Sequence, residues 1–581
     1  MSRTVPGVVV ALGLALVGGL APEARQQQLG HIEFATSQSG AAQEAFIRGV
    51  LLLHSFEYED AREAFQEAQR VAPGFAMAYW GEAMTHNHPL WGEVAPEAAR
   101  AALDRLGSTL EARLASAGSD KERDWLRAVE ALYGDGDKLS RDRAYASRMR
   151  RMHEAYPDDH EVAAFYALAL LGTSHEGRDL PTYMRAAAVA EDVHRANPRH
   201  PGAIHYLIHA FDDPAHAPLG LRYADAYAEV APAASHALHM PSHIYFALGL
   251  WNRASELNER SVRAADERVA TKGLGVEGRS FHALLWLTYS YLQEGRQQEA
   301  QGVLQQLEQA AQQSTSASVR RHVALARAAW LIETRRWLDA RAPVAPEGLG
   351  ADAIAADLFA VGMAAFRSGN RLAGSDALQR MALIVGDGDR PLRSVTSARP
   401  APGRPSTSRP GVTPIPMPRP VLPERPGQSA MNPPPPPGLS PSAGLDRRVA
   451  AVMAQQLEAV LIFSEGRRDE AIVLARQAAV VEEGLSFEFG PPLPVKPAHE
   501  LVGDLLMDVR RPGEALEAYE AALRKHSGRA LSLLGVFRAA SQARNTDRAR
   551  EAAAELRRIW SRADKTLPEL REIGAGTPSS E

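Results

Sequence analysis

AQEAFIRGVLLLHSFEYEDAREAFQEAQRVAPG, residues 42–74, decides the fold. Its apolar residues fall three and four apart, the spacing of a helix with one buried face, and Gly49, Leu52, Ala61, Phe65, Ala68 and Pro73 share one register. Small residues such as Gly49 and Ala61 let two antiparallel helices approach, Phe65 fills the space between them, and Pro73 ends the unit. The register returns at Leu284, Thr288, Tyr291, Ala300 and Leu304, at Gly503, Leu506, Ala515, Tyr519 and Ala522, and at Leu533, Phe537, Ala549 and Ala553. Short turns punctuate it, EGR at 294–296, SGN at 368–370 and EGR at 465–467, and strand-like alternation is nearly absent.

These spacings resemble the tetratricopeptide repeat (TPR), a helix-turn-helix unit of about 34 residues. The resemblance implies an all-α, right-handed superhelical solenoid of roughly a dozen antiparallel helix pairs. It also implies a concave groove that binds a protein or peptide partner. At 581 residues the chain exceeds what one hydrophobic core serves, which an array growing along one axis accommodates. One segment breaks the pattern. Arg390–Gly444 is rich in Pro, Ser and Arg, includes PPPPP at 433–437, and cannot continue a helix; it reads as a solvated linker, with a docking peptide or spacer as the rival. The expected organisation is a signal peptide at 1–24, a lead-in at 25–41, an N-terminal array at 42–389, the linker at 390–444, a C-terminal array at 445–568 and a disordered tail at 569–581.

Residues 1–24 carry one basic residue near the start, an apolar run from Val8 to Leu20 and small residues around Ala21–Ala24. The run is short for a bilayer span, so the segment reads as a secretory signal and the protein as periplasmic or secreted; an uncleaved membrane anchor is the alternative. The chain has no cysteine, which excludes disulfides, thiolate chemistry and c-type haem attachment. Its net charge of −5, with acids and bases interleaved, lacks the basic stripe that nucleic-acid binding needs.

The densest group of potential ligands lies in HPGAIHYLIHAFDDPAHA, 200–217, and ASHALHMPSHIYFALGLW, 234–251. His205 and His209 are four apart, so their side chains leave one face of a helix, and His239 and His243 repeat that spacing 34 residues later. If repeats begin at Pro201 and Ser235, all four occupy positions five and nine of a first helix. First helices of neighbouring repeats lie about 10 Å apart, so four imidazoles can converge on one divalent transition metal, zinc or copper. Pro241 in a first turn leaves the direction of His239 open. Secondary candidates are His236, Asp212, Asp213, His216, His86, His88 and His282, with His499 and Glu500 reaching the site if the C-terminal array folds back. For a single histidine the plain alternative is a cap or a backbone bridge at a helix end.

Catalytic residues are not assigned. His205 and His209 have the spacing of a zinc-protease helix, but Tyr206 stands where the general-base glutamate belongs. No nucleophile motif, phosphate loop or dinucleotide fingerprint appears. Taken together, YWGEAMTHNHPLW (79–91), HPGAIHYLIHAFDDP (200–214), SHALHMPSHIY (235–245) and PPLPVKPAHE (491–500) resemble exported bacterial TPR proteins carrying the same histidine-rich segments, a likeness that supplies no activity. Histidine replaces the basic and asparagine clamp with which such grooves hold acidic C-terminal peptides. The sequence therefore supports a scaffold with a metal-binding groove; the alternatives are a metal-free module for a peptide or polysaccharide and a metal-dependent hydrolase or oxidase.

Overall fold

The computed structural model describes residues 28–175, 177–386, 443–487 and 490–575. These form an all-α solenoid of antiparallel helix pairs of the tetratricopeptide type; the strand content of the described residues is one short ladder pairing Asn87–His88 with Glu93–Val94. The segment expected to be a signal peptide, 1–24, and the 390–442 part of the expected linker fall outside the described residues.

The register works as read. Phe65 is fully buried against Gly49, where an added Cβ would lie 2.6 Å from its ring, and Tyr519 occupies the same place over Gly503 at 2.7 Å. Each such ring contributes on the order of 2–3 kcal/mol of burial, which the missing Cβ makes possible. The turn from first to second helix uses a left-handed residue, Gly249, Gly295, Gly369 and Gly466 in four repeats. In the first repeat that place is held by Phe56, at φ 55°, a conformation costing a bulky residue about 1–2 kcal/mol.

Three features go beyond the sequence reading. The helix Ala443–Ser464 packs directly on Ala351–Arg367 and Arg371–Val385, so the two arrays are one stack in space despite the proline-rich segment between them. Glu569–Ala575, placed by sequence in a disordered tail, forms a short helix, because Ile573 is buried and Glu572 pairs with Arg538 at 2.6 Å. The superhelix also curls until it meets itself. Arg268 and Lys272, on the helix Trp251–Lys272, bond Asp60 and Glu63 of the first repeat at 2.8 and 2.6 Å. Further on, Trp251 donates its indole N–H to the Gly528 carbonyl at 2.7 Å, and Trp560 donates to that of Gln293 at 3.0 Å. No described helix is long and apolar enough to cross a membrane.

Buried charge locks this closure. Arg529, fully buried, meets Glu500 and Glu333 at 2.6 Å each and donates to the Tyr289 hydroxyl at 2.6 Å. Glu500 also accepts from Lys496 at 2.6 Å and Ser532 at 2.7 Å. Burial alone would raise its carboxyl, but the two cations, Arg529 and Lys496, hold it well below the ordinary range.

Candidate metal centre

The helix Pro201–Phe211 starts on a proline at a position where no N–H is required, and His200 caps it by accepting the Ala203 N–H at Nδ1, 3.1 Å. The next first helix is broken in its hydrogen bonding into Ser235–His239 and Pro241–Ala247, because Pro241 has no N–H to give. Met240 between them keeps helical angles, φ −54° and ψ −37°, so the turn is continuous and His239 stays one turn before His243. The direction left open by Pro241 is thereby fixed.

The structure gathers the histidines into two triads rather than one group of four: His205, His209 and His236, then His239, His243 and His282. Within each, three side-chain nitrogens lie within 4.8 Å of one another. His236 and His282, secondary in the sequence reading, are both the second residue of their helices, Ser235–His239 and Phe281–Gln293. Each triad therefore combines positions five and nine of one repeat with position two of the next. The triads adjoin, with His209 and His243 rings 5.5 Å apart and those of His236 and His239 5.8 Å apart.

Hydrogen bonds set the tautomers. In the second triad the Asn258 amide N–H groups are committed to Ser242 Oγ at 2.7 Å and the Ala254 carbonyl at 2.8 Å, so its Oδ1 faces His239 Nδ1 at 2.7 Å as an acceptor. His239 Nδ1 therefore carries the proton. His243 Nδ1 lies 2.6 Å from Asp212 Oδ2 and donates to that carboxylate. His239 Nε2 is then an acceptor, and His243 Nε2 faces it at 3.2 Å. Two imidazole nitrogens at that distance are satisfied by a cation held between them, a proton or a metal ion. In the first triad His205 Nδ1 donates to the His54 carbonyl at 2.7 Å, which leaves its Nε2 as an acceptor 3.2 Å from His209 Nε2. His236 Nε2 is buried without a hydrogen bond among the described residues.

Burial disfavours the charged form of five of these six rings. His205 and His239 are pushed down to about 3, chiefly by burial, and His209, His236 and His282 well below their ordinary value by burial with neighbouring imidazoles adding. Phe56 lies against the rings of His205, His209 and His236 at 4.2, 6.0 and 5.6 Å, so the strained turn of the first repeat forms one wall of the first triad. Trp286 stacks on His243 at 4.4 Å.

A third group, His54, Glu161 and His200, is fully buried but complete in itself. Glu161 accepts from His54 Nε2 at 2.9 Å and His200 Nε2 at 3.0 Å, and the Tyr206 hydroxyl donates to His54 Nδ1 at 2.8 Å. Every donor here meets an acceptor, so the group is a strut whose product is the placement of the His54 carbonyl under His205.

The remaining candidates stand elsewhere. His88 bonds Glu93 and stacks on Tyr58, and His86 belongs to neither triad. Asp213 holds His216 at 2.8 Å and pairs with Arg178, His499 bonds Glu483 at 2.7 Å, and Glu500 is consumed by Arg529 and Lys496. The C-terminal array does fold back, but neither His499 nor Glu500 reaches the triads. Asp212 serves through His243. Asn258 and the His54 carbonyl escape sequence reading, since an asparagine in a helix and a backbone oxygen carry no signal of their own.

No family model matches the chain, and no curated protein matches it. Solved structures resemble it distantly: the APC/C hetero-tetramer Cut9–Hcn1 (10% identity, 93% of this chain and 77% of that one, TM-score 0.32), human IFIT1 with m7Gppp-AAAA (13%, 95% and 93%, 0.33) and a Rap protein complexed with competence and sporulation factor (14%, 60% and 98%, 0.34).

Proposed function

We propose that this helical-repeat protein holds two divalent transition-metal ions in adjoining all-histidine sites, one per triad. The observation that carries the reading is the approach of His239 Nε2 and His243 Nε2 to 3.2 Å, with their Nδ1 atoms held by Asn258 and Asp212 and the His282 ring beside them. Two imidazole nitrogens on a tetrahedral ion at 2.0–2.1 Å stand ~3.3 Å apart. A carbonyl, an amide oxygen and a carboxylate on the Nδ1–H groups are the outer partners that orient metal-bound histidines. Nitrogen-only ligation without thiolate suits zinc, copper(II) or nickel. Three protein ligands leave a fourth position on each ion, the arrangement of sites that polarise a bound water or substrate. The groove's role as a scaffold for a protein or peptide partner, and export under the direction of residues 1–24, belong to the same proposal.

The test is elemental analysis of untagged protein. About two equivalents per chain are expected, with His205→Ala, His209→Ala losing one and His239→Ala, His243→Ala losing the other. Metal well below one equivalent in the unsubstituted protein refutes the reading.

A further inference from the structure

We infer that the cleft between residues 178–216 and the C-terminal helices 468–483 and 512–525 is the route by which the metal ion enters and leaves the second triad. The inference rests on the metal reading above. Two adjoining spaces compose the route. The outer one, about 530 Å³, is lined by Arg178, Asp213, His216, Glu483, His499 and His526 among others. The inner one, about 30 Å³, shares Ser486, Phe487, Lys525 and His526 with it and ends on Asp212 and His243.

Size selects what passes. A water needs roughly 10–15 Å³ of such space, so the inner space has room for a partly dehydrated ion with a water and not for a sizeable organic molecule. An ion that sheds its hydration shell in stages needs a replacement donor at each stage, and the lining supplies them in order. His216 with Asp213 and His499 with Glu483 stand in the outer space as imidazole and carboxylate pairs at 2.8 and 2.7 Å. His526 stands in both spaces. Its Nε2 is buried and faces Glu482 Oε1 at 3.6 Å, beyond ordinary hydrogen-bond length. Burial holds this ring below its ordinary value against the pull of Glu482, so it presents a lone pair. In each exchange one water leaves the ion as one protein donor binds, and no electron moves. Beyond His526 lies Asp212, whose carboxylate already orients His243. The third histidine of the cleft thus lies between the surface and the centre, where a handover requires it.

The experiment uses the full chain stripped by a chelator and follows Zn(II) alone by stopped flow with an indicator, in both directions. His526→Ala removes the handover donor, and Ala521→Trp, at the rim of the outer space, narrows the cleft. Each is expected to slow uptake and release about tenfold, ~1.4 kcal/mol of barrier, by the same factor, leaving stoichiometry and affinity unchanged. A residue that merely supports the fold would change affinity instead, so a shifted equilibrium with unequal rate changes overturns the route. Unchanged rates in a folded His526→Ala protein overturn it as well, whatever the behaviour of Ala521→Trp. Unsubstituted protein that takes up no Zn(II) overturns the metal reading itself, an outcome distinct from either.

Discussion

Replacing Asp212 by asparagine changes one charge and almost no volume, at a point where the structure fixes what should follow. The Asp212 carboxylate accepts the His243 Nδ1–H at 2.6 Å with both side chains at most 2% exposed, so solvent screens the pair little. The ion would sit across the imidazole ring, roughly 6.5 Å from the carboxylate oxygen. A doubly charged ion and a single negative charge at that distance, with an effective dielectric constant of 20, attract by about 5 kcal/mol. That is a ceiling, because the asparagine oxygen still accepts the hydrogen bond and the surroundings relax. Loss of such an outer partner costs about 10–100-fold in affinity, ~1.4–2.7 kcal/mol. The assay is a chelator competition titration of the stripped protein with Zn(II). Two equivalents should separate, the one assigned to His239, His243 and His282 weakening by that factor and the other holding. Equal weakening of both equivalents, or an unchanged titration, would refute the argument that Asp212 acts through His243 on one ion.

Three further outcomes follow from the same geometry. Gly202→Ala would overlap the His54 ring, displace the carbonyl that holds His205, and lower affinity at the first triad while sparing the second, as the same titration reads. Glu161 is raised by burial but brought down to about 2 by the two imidazoles that donate to it, against an ordinary value of 4.5. Its contribution to stability is therefore complete above about pH 4.5 and lost as the pH falls toward 2; Glu161→Gln should flatten the acid limb of the denaturation profile in that window. Arg529→Met leaves Glu500 and Glu333 buried with a cation removed, a cost of about 3–5 kcal/mol, and hydrogen exchange should show earliest loss of protection in Ala498–Asp508 and Ala530–Gln542.

The pairing of helices was legible because it depends on spacings within about 34 residues, and Gly49, Phe65, Gly503 and Tyr519 stand as the pattern places them. The two histidine pairs were legible for the same reason, since four-residue spacing fixes a shared helix face. Their third partners were not. His236 and His282 hold equivalent places, yet they lie 282 − 236 = 46 residues apart, because the intervening second helix Trp251–Lys272 has 22 residues where Ala217–Val230 has 14, and the segment after it, 273–280, has eight where 231–234 has four. A search at a period of 34 passes over that equivalence. The commitment of Glu500 to Arg529 was equally out of reach, because position five of a first helix says that a side chain faces the groove and not which cation waits there. Nor does a spacing reveal that Asn258 spends its amide hydrogens on Ser242 and Ala254, which is what fixes the proton on His239.

The meeting of Arg268 and Lys272 with Asp60 and Glu63 has a consequence for how such a chain can change. An open array touches only nearest neighbours, so a unit can be gained or lost with local effect. Here the sixth pair of helices leans on the first, and the His236 N–H bonds Glu57 across the same seam at 2.9 Å. Adding or deleting one unit between them would rotate the two edges of the seam past each other and part His54 from His205. The number of repeats is held by closure as the tooth count of a gear is held by its circumference, and drift in this protein is confined to substitutions and to segments that hang outside the ring.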